Sequence, residues 1–232
     1  MILRVKKLCK TYYRGDAETS ALTDVTFDME KEEYVSVLGP SGSGKSTLMN
    51  LIGGLERPTS GDIFFDGEDL SNLPDGDLAD FRLDKVGFVF RDFQLLPQET
   101  VLENVALPLV YAGFSRAERL DRAEEMLVKA GLENRMDYLP EELSGGQQQR
   151  AAIARAMIYE PDILLAYEPA GSLDSASGEQ IMDLFDQIHQ DGVSILMFTH
   201  EVDMACCADR VLELQDGRLK SDTAFSDETD FG

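Results

Sequence analysis

Apolar residues recur along this chain of 232 residues with two different spacings, which predict strands and helices in alternation. Short continuous apolar runs bounded by glycine, proline or acidic turns are typical of buried strands. A turn at Gly15-Asp16 is expected to separate the first two. The predicted strands comprise residues 2–5, 21–27, 34–38, 62–65, 86–90, 163–166 and 193–198, followed by a hairpin of residues 211–214 and 218–219.

Apolar residues three or four positions apart form the second pattern, which predicts amphipathic helices. It dominates from about residue 101 to residue 159, where Gly131 is placed to end one helix. The apolar stripes are Leu48, Leu51, Ile52 and Leu55; Leu120, Ala123, Leu127 and Ala130; Ala151, Ala154 and Met157; and Ile181, Leu184, Phe185 and Ile188.

Strands that alternate with helices indicate a mostly parallel sheet covered by helices. We therefore expect a single α/β domain over residues 1–232. Its N-terminal strands are expected to be antiparallel, and a helical subdomain is expected to be inserted at about residues 92–160. Residues 221–232 are acidic and predict a loose tail.

The chain is strongly acidic, with 44 Asp and Glu residues against 21 Lys and Arg residues and a net charge of −23. Such a surface repels the phosphates of nucleic acids and anionic lipid headgroups. We therefore expect no nucleic-acid partner and no membrane attachment through a basic patch. Two interpretations of the charge stay open, an ordinary solvated surface and adaptation to high salt.

The remaining composition predicts a cytoplasmic protein. No run of 18 apolar residues is present, so we expect no membrane-spanning helix. The N-terminus turns polar too early for a secretory signal. The three cysteines, two of them adjacent, fit neither a disulfide framework nor a zinc site, which favours a reducing compartment.

A glycine-rich segment between a predicted strand and a predicted helix has the spacing of a phosphate-binding loop. Its glycines let consecutive backbone N–H groups point at phosphate oxygens, and the following helix directs its positive end to the same place. We expect Lys45 to reach the β- and γ-phosphates and the Ser46 hydroxyl to bind Mg²⁺. The predicted ATP-binding residues of this loop are Gly39, Ser41, Gly42, Ser43, Gly44, Lys45, Ser46 and Thr47.

A second glycine-containing loop precedes another predicted helix and predicts a second anion site. Its residues are Ser144, Gly145, Gly146 and Gln147. One nucleotide does not need two γ-phosphate sites in one chain. We therefore expect this loop to cover a nucleotide that is held by a second subunit.

With these two loops, the chain resembles the ATP-binding subunits of ABC transporters over nearly its whole length. The most similar branch serves lipoprotein release, macrolide export and bacterial cell division. Further similar segments are residues 53–55, 58–61, 88–90 and 93–97. The resemblance implies a P-loop NTPase core and a head-to-tail homodimer that sandwiches two ATP molecules. It also implies an integral membrane permease subunit as partner, which would place the chain on the inner face of the cell membrane.

Further roles are implied by the same resemblance. Tyr12 matches the aromatic residue that stacks on adenine, with Tyr13 as the rival. Glu168 matches the general base that polarises the attacking water. His200 matches the histidine that contacts the γ-phosphate, and Asp174 belongs to the loop that contacts the partner subunit.

At two positions the chain departs from the family pattern. Arg91 stands where the family has a glutamine that faces Mg²⁺, and arginine has no acceptor with which to bind a metal. Tyr167 stands where the family has an aspartate that holds Mg²⁺ through water. Both changes predict weaker Mg²⁺ binding. Either Arg91 partly replaces the metal against the triphosphate, or the site has simply degenerated or been altered.

Two functions follow from these residues. The first is an ATP hydrolase whose dimer closes around ATP, moves a membrane subunit and is reset by hydrolysis. The alternative is a hydrolysis-impaired ATP-binding switch or scaffold for a membrane complex. Arg91 and Tyr167 favour the alternative, whereas Lys45, Glu168 and His200 favour the hydrolase.

Overall fold

A computed structural model describes residues 1–15 and 17–224 of the chain. They form two compact units, the first from Met1–Asp75 together with the segment that begins at Ser194, and the second from Gly76–Val193. In chain order the elements are β1 (Leu3–Arg14), β2 (Ala17–Met29), β3 (Tyr34–Leu38), α1 (Lys45–Ile52), β4 (Ser60–Phe65), β5 (Glu68–Asp69), α2 (Asp75–Lys85), β6 (Val86–Phe90), α3 (Val101–Tyr111), α4 (Arg116–Lys129), α5 (Gly145–Met157), β7 (Ile163–Tyr167), α6 (Ser175–Gln190), β8 (Ser194–Thr199), α7 (Val202–Ala205), β9 (Arg210–Gln215) and β10 (Arg218–Ala224).

The first unit contains an antiparallel sheet in the order β2-β1-β4-β5. Buried Val25, Phe27 and Met29 alternate with exposed residues along β2, as expected for a strand with one face on a core. This confirms the predicted antiparallel N-terminal strands. Both β1 and β2 are longer than predicted, and Asp16 of the predicted turn lies outside the described residues.

The first unit also contains β3, which pairs in parallel with β8 on one side and β9 on the other. Every residue of β8 is buried, as expected for a central strand of a parallel sheet. The strand β9 continues into β10 through Asp216 and Gly217, whose positive φ angles of 49° and 72° are typical of a tight hairpin.

The predicted loose tail begins later than residue 221. Ser221–Ala224 belong to β10 and pair with β9. The pairing is reinforced because Arg210 makes two hydrogen bonds of 2.6 Å to the Asp222 carboxylate. The prediction was therefore wrong for these four residues, while residues 225–232 lie outside the described part.

The second unit combines the parallel pair β6–β7 with the predicted helices. Leu109 of α3, Leu127 of α4 and Ala151 of α5 are fully buried in one core. Gly131 follows α4 with a φ of 66°, which confirms it as the residue that ends this helix. The helix α2 was not predicted, and only Leu78 and Phe81 of its residues are buried.

Candidate functional site

The predicted phosphate-binding loop connects β3 to α1 in the first unit. Gly42 and Gly44 have φ angles of 81° and 106°, which side chains with a Cβ rarely adopt. Gly39 is required for another reason, since a Cβ there would lie 2.2 Å from the carbonyl oxygen of Leu214. The sequence therefore has glycine at the three points where the loop cannot hold another residue.

Two polar side chains of this loop, Ser43 and Lys45, are buried. Lys45 is only 3% exposed, and its Nζ donates hydrogen bonds to the carbonyl oxygens of Gly39 (2.5 Å) and Pro40 (3.0 Å). Among the described residues, the buried Ser43 Oγ has no hydrogen-bond partner. A buried cation and an unsatisfied hydroxyl next to the first turn of α1 fit the oxygens of a triphosphate.

The described residues provide few protein ligands for Mg²⁺. Ser46 is exposed in the first turn of α1 and offers one neutral oxygen. Within residues 1–15 and 17–224, no group of three His, Cys, Asp or Glu side chains is arranged to hold a metal ion. Since Mg²⁺ accepts several ligands from waters and phosphates, this set fits a metal held mainly by the nucleotide.

Parallel pairing brings His200 to the edge of the sheet where the loop starts. Leu38 of β3 is paired with Thr199 of β8, so the next residues, Gly39 and His200, leave the sheet side by side. The Gly39 backbone N–H donates to the Thr199 carbonyl oxygen over 3.2 Å. His200 is exposed there, at the carboxyl end of a buried strand where α/β sheets place their ligands.

Tyr12 lies in β1 with its ring held in place. Its hydroxyl donates to Glu56 Oε2 over 2.8 Å, and the Lys10 Nζ lies 5.0 Å from the ring centroid. Burial and the Glu56 carboxylate raise the pKa of Tyr12, against an opposing hydrogen bond with Thr47. The rival Tyr13 is 68% exposed, compared with 40% for Tyr12. The fixed orientation favours Tyr12 as the ring available to a base.

In the second unit, Arg91 and Glu168 meet as an ion pair that the sequence patterns did not indicate. The Nη1 atom of Arg91 lies 2.9 Å from Oε2 of Glu168. Phe90 of β6 is paired with Tyr167 of β7, so both strands end together and the residues that follow them become neighbours. The sequence feature that could have predicted this contact is the position of Arg91 and Glu168, each directly after a strand.

The backbone around Glu168 is unusual. Glu168 has a φ of 45°, a conformation that costs most non-glycine residues about 1–2 kcal/mol. Its carbonyl oxygen accepts a hydrogen bond of 3.1 Å from the Gly171 N–H, and its side chain is 10% exposed. Strained residues of this kind are held by their surroundings and cluster at functional sites.

The loop at residues 144–147 starts α5. The Ser144 Oγ accepts a hydrogen bond of 3.3 Å from the Gln147 N–H, and the Gln147 Oε1 accepts one of 3.0 Å from the Ser144 N–H. This reciprocal arrangement is a capping box, which stabilises a helix N-terminus. Ser144 is exposed, so its hydroxyl lies at the surface with the positive end of the helix.

The two glycines of this loop pack against their own chain. A Cβ at Gly145 would lie 3.1 Å from Cδ2 of Leu173, and one at Gly146 would lie 3.0 Å from Oγ of Ser177. A Cβ at either position would therefore require its neighbour to shift by a few tenths of an ångström, a close approach that the sequence patterns did not reveal.

Asp174 caps the next helix. Its carboxylate accepts hydrogen bonds from the Ser177 N–H (3.0 Å) and the Ser177 hydroxyl (2.9 Å) at the start of α6. The backbone hydrogen bond from Ser177 is the main reason that the pKa of Asp174 is lowered. Asp174 is exposed, as a contact with a partner subunit requires.

Residues 22–171, which include the phosphate-binding loop and Glu168, match the family model described as ABC transporter. The chain belongs to the ABC transporter family. It has the fold of an ABC-type ATP-binding cassette, which confirms the resemblance and the predicted α/β fold. Within the described part of this ABC cassette, no helix is long and apolar enough to cross a membrane.

Two curated relatives of this ABC cassette differ in how much of their own length the chain covers. An uncharacterized ABC transporter ATP-binding protein of Bacillus subtilis, YknY, is 46% identical over 218 residues, which cover 94% of this chain and 95% of that protein. The macrolide export ATP-binding/permease protein MacB of Campylobacter fetus is 44% identical over 222 residues. That match covers 96% of this chain but only 35% of MacB, so the chain spans about a third of this relative.

A solved structure of the ATP-binding cassette MJ0796 has the same fold. It superposes with a TM-score of 0.89 at 42% identity and covers 96% of this chain and 98% of that chain. It is described as a dimeric post-hydrolysis state of that cassette bound to ADP and Pi. This chain thus has the fold of a nucleotide-binding cassette that dimerises.

Proposed function

We propose that two copies of this chain close head to tail around two ATP molecules and thereby drive a membrane transporter. The observation that supports this most directly is the phosphate-binding loop, in which Lys45 is 3% exposed and the buried Ser43 Oγ has no hydrogen-bond partner among residues 1–15 and 17–224. Both side chains gain acceptors when phosphate oxygens enter the loop.

Each residue of the loop has a role in binding the nucleotide. Lys45 exchanges its bonds with the loop carbonyls for the β- and γ-phosphates, and the N–H groups at the start of α1 bind the phosphate oxygens. Tyr12 stacks on the adenine ring, and His200 binds the γ-phosphate. Ser46 would hold Mg²⁺, which would offset the negative charge of the triphosphate.

Glu168 is the general base of the proposed reaction. It accepts a proton from a water molecule, whose oxygen forms a bond to the γ-phosphorus while the bond from that phosphorus to the ADP oxygen breaks. The products are ADP and inorganic phosphate. Tyr167 adds no charge at neutral pH, so the protein contributes less to Mg²⁺ binding than an aspartate at that position would.

The second subunit completes each site. Ser144 and the N–H groups at the start of α5 bind the γ-phosphate held by the partner subunit, because a helix N-terminus with an exposed hydroxyl binds anions. Asp174 contacts the partner as well. Hydrolysis removes the γ-phosphate that joins the two copies, so the dimer opens.

The membrane partner is an integral permease subunit, supported by the likeness to MacB, an ATP-binding/permease protein of which this chain covers 35%. The chain then works at the inner face of the membrane. The residues that follow β6, from Arg91 to Pro97, are the proposed contact with the permease.

ATP turnover tests this function. We expect the purified chain to release phosphate from ATP in the presence of Mg²⁺, and Lys45→Ala and Glu168→Gln to lower kcat by at least about 100-fold, as expected for an electrostatic and a general-base contribution. A double variant, Arg91→Gln with Tyr167→Asp, is assayed beside them, with and without Mg²⁺.

The outcomes separate the two functions. Turnover by the unchanged chain that requires Glu168 supports the transport ATPase. ATP binding without turnover in the unchanged chain, together with turnover in the double variant, identifies an ATP-binding switch instead. Absence of ATP binding in every variant contradicts both.

A further inference from the structure

The ion pair between Arg91 and Glu168 joins a surface residue to a buried one. The Glu168 residue is 8% exposed, while the Arg91 side chain retains 45% of its accessible surface. A buried carboxylate requires a partner for its charge, and Arg91 supplies it from the solvent side. The pair therefore gives the buried carboxylate a partner that is itself partly exposed.

The backbone of Arg91 is attached to the same loop. The Ser172 hydroxyl donates a hydrogen bond of 3.1 Å to the Arg91 carbonyl oxygen. Residue 91 is thus connected to the segment 168–172 at two points, through its side chain and through its main chain. This double attachment reduces the conformational entropy that Arg91 loses when it forms the pair.

The segment after Arg91 is fixed as well. The Arg155 guanidinium, on α5, donates to the carbonyl oxygens of Phe93 (2.9 Å) and Gln94 (2.6 Å). Both of these residues have positive φ angles, 59° and 51°. The backbone that follows β6 is therefore fixed by hydrogen bonds on both sides of Asp92. This fixed backbone directs the Arg91 side chain towards Glu168.

The pair opposes the role proposed for Glu168. A general base must accept a hydrogen bond from the water that it deprotonates, at a carboxylate oxygen. In this structure the Nη1 N–H of Arg91 is directed at Oε2. A guanidinium in that place competes with water for the oxygen and for the position in front of it.

We propose that Arg91 is a positioning residue that holds Glu168 in an inactive arrangement, so that the pair must open before ATP is hydrolysed. This inference rests on the proposed function of Glu168. Opening of this ion pair is then an equilibrium that precedes hydrolysis, and the small population of the open form lowers kcat in the closed dimer.

The test replaces Arg91 with methionine, which keeps a long side chain but has no charge and provides no ligand that resembles the glutamine of the family. We expect Arg91→Met to raise kcat by about three- to tenfold, the population change that corresponds to the loss of one partly exposed charge-assisted hydrogen bond. ATP affinity is expected to stay within about twofold, because Arg91 acts on Glu168 and not on the phosphates.

Arg116→Gln is the matched control. Arg116 forms an ion pair of 2.7 Å with Glu103 in the same unit, and its side chain is 71% exposed. We expect this variant to leave kcat unchanged. A combined Arg91→Met/Glu168→Gln variant is expected to be as inactive as Glu168→Gln alone, since the gain requires the carboxylate.

Salt provides a readout that a merely structural role would not change. A partly exposed ion pair is weakened by ionic strength. The ratio of kcat in Arg91→Met to kcat in the unchanged chain should therefore fall towards one between 0.1 and 1 M KCl, concentrations at which the Debye length shortens from about 10 to about 3 Å. Both chains are assayed at protein concentrations that keep them dimeric at every salt concentration, so that effects of salt on dimerisation do not enter the ratio.

Three results would overturn the proposal. A kcat that is unchanged or lower in Arg91→Met, with Arg91→Met still folded by circular dichroism, shows that the pair does not restrain the base. An ATP affinity that falls by more than tenfold in Arg91→Met assigns Arg91 to the triphosphate, in place of the metal. A ratio that is independent of salt argues against an ion pair as the restraint.

Failure of the proposed function gives a different pattern. In that case neither the unchanged chain nor Arg91→Met hydrolyses ATP, and Glu168→Gln has no effect. The pair itself is then measured without nucleotide, by a double-mutant cycle of Arg91→Met and Glu168→Gln on urea unfolding. A coupling free energy in that cycle, without a gain in turnover in Arg91→Met, shows that Arg91 only compensates a buried charge. This result contradicts the proposed restraint.

Discussion

At the scale of single residues, close neighbours of the phosphate-binding loop exclude a side chain at Gly39. Gly39 lies between β3 and the loop, with the carbonyl oxygen of Leu214 and the side chain of Ser43 on the side where a Cβ would point. A Cβ at Gly39 would lie 2.2 Å from Leu214 O and 2.7 Å from Ser43 Oγ, and both distances are too short for a carbon atom. A change at this position must therefore move the loop or β9.

Gly39→Ala is expected to lower the free energy of unfolding by about 1–3 kcal/mol, the usual cost of overpacking, and to weaken ATP binding in parallel. Urea unfolding and titration with a fluorescent ATP analogue measure the two effects. Gly76→Ala is the control, because nothing lies within 4 Å of a Cβ there and the residue is in α2. It should be neutral or stabilising by up to about 1 kcal/mol. Equal effects of the two substitutions would contradict the steric argument.

The residues at positions 91 and 167 show how a departure from the family pattern is to be understood. From the sequence, Arg91 was weighed as a substitute for the metal or as simple degeneration. The structure directs its guanidinium at Glu168 over 2.9 Å, an interaction with the proposed base. Tyr167 is the last residue of β7, directly before Glu168, and is half-buried.

At the scale of elements, two helices of the second unit begin with the same capping box. Ser115 and Glu118 form it at α4, and Ser144 and Gln147 form it at α5. Only the box at α5 belongs to the loop that we propose to bind the partner's nucleotide. The chain therefore contains its own control for separating helix stability from function.

Ser115→Ala and Ser144→Ala are each expected to lower the free energy of unfolding by about 1 kcal/mol, since each removes the acceptor for a backbone N–H. Only Ser144→Ala should also weaken ATP-driven dimerisation, by about tenfold. Sedimentation velocity with ATP, in the Glu168→Gln background to prevent turnover, measures the dimer. Equal dimerisation in both variants would show that Ser144 acts on its helix alone.

The loop after Glu168 is held by α5 as well. The buried Gln149 donates a hydrogen bond of 2.7 Å from Nε2 to the carbonyl oxygen of Pro169. Gly146, also on α5, packs against Ser177 at the start of α6. The helix α5, which begins at the loop that we propose to bind the partner's nucleotide, is thus in direct contact with the segment that follows the proposed base of the same chain.

At the scale of the whole molecule, charge is the dominant property. Each chain has a net charge of −23, so two chains repel each other as they approach. Screening shortens the range of this repulsion from about 10 Å at 0.1 M salt to about 3 Å at 1 M. The sequence left open whether this charge reflects an ordinary solvated surface or adaptation to high salt.

Dimerisation at different salt concentrations measures this repulsion. The dissociation constant of the ATP-bound dimer is expected to fall by at least about tenfold between 0.1 and 1 M KCl, because screening removes the repulsion. Sedimentation equilibrium of Glu168→Gln with ATP measures it. Sucrose at the same osmolality is the control and should have little effect, whereas dimers that weaken with salt would contradict the expectation.

The sequence by itself determined the phosphate-binding loop, the strand β3 and the helix α1. These depend on contiguous residues, since glycines at fixed spacing and an apolar run make a strand, a loop and a helix without help from distant segments. The same holds for the hairpin turn at Asp216-Gly217 and for the end of α4 at Gly131. The family followed from such local motifs.

Only the tertiary structure decided which distant residues meet. Arg91 and Glu168 are 77 positions apart and become neighbours through the register of β6 and β7. The extension of β10 to Ala224 depends on a partner strand and on Arg210, which a local pattern cannot indicate. The physical reason is the same in both cases, because pairing across a sheet is set by non-local hydrogen bonds, while composition and periodicity record only what lies along the chain.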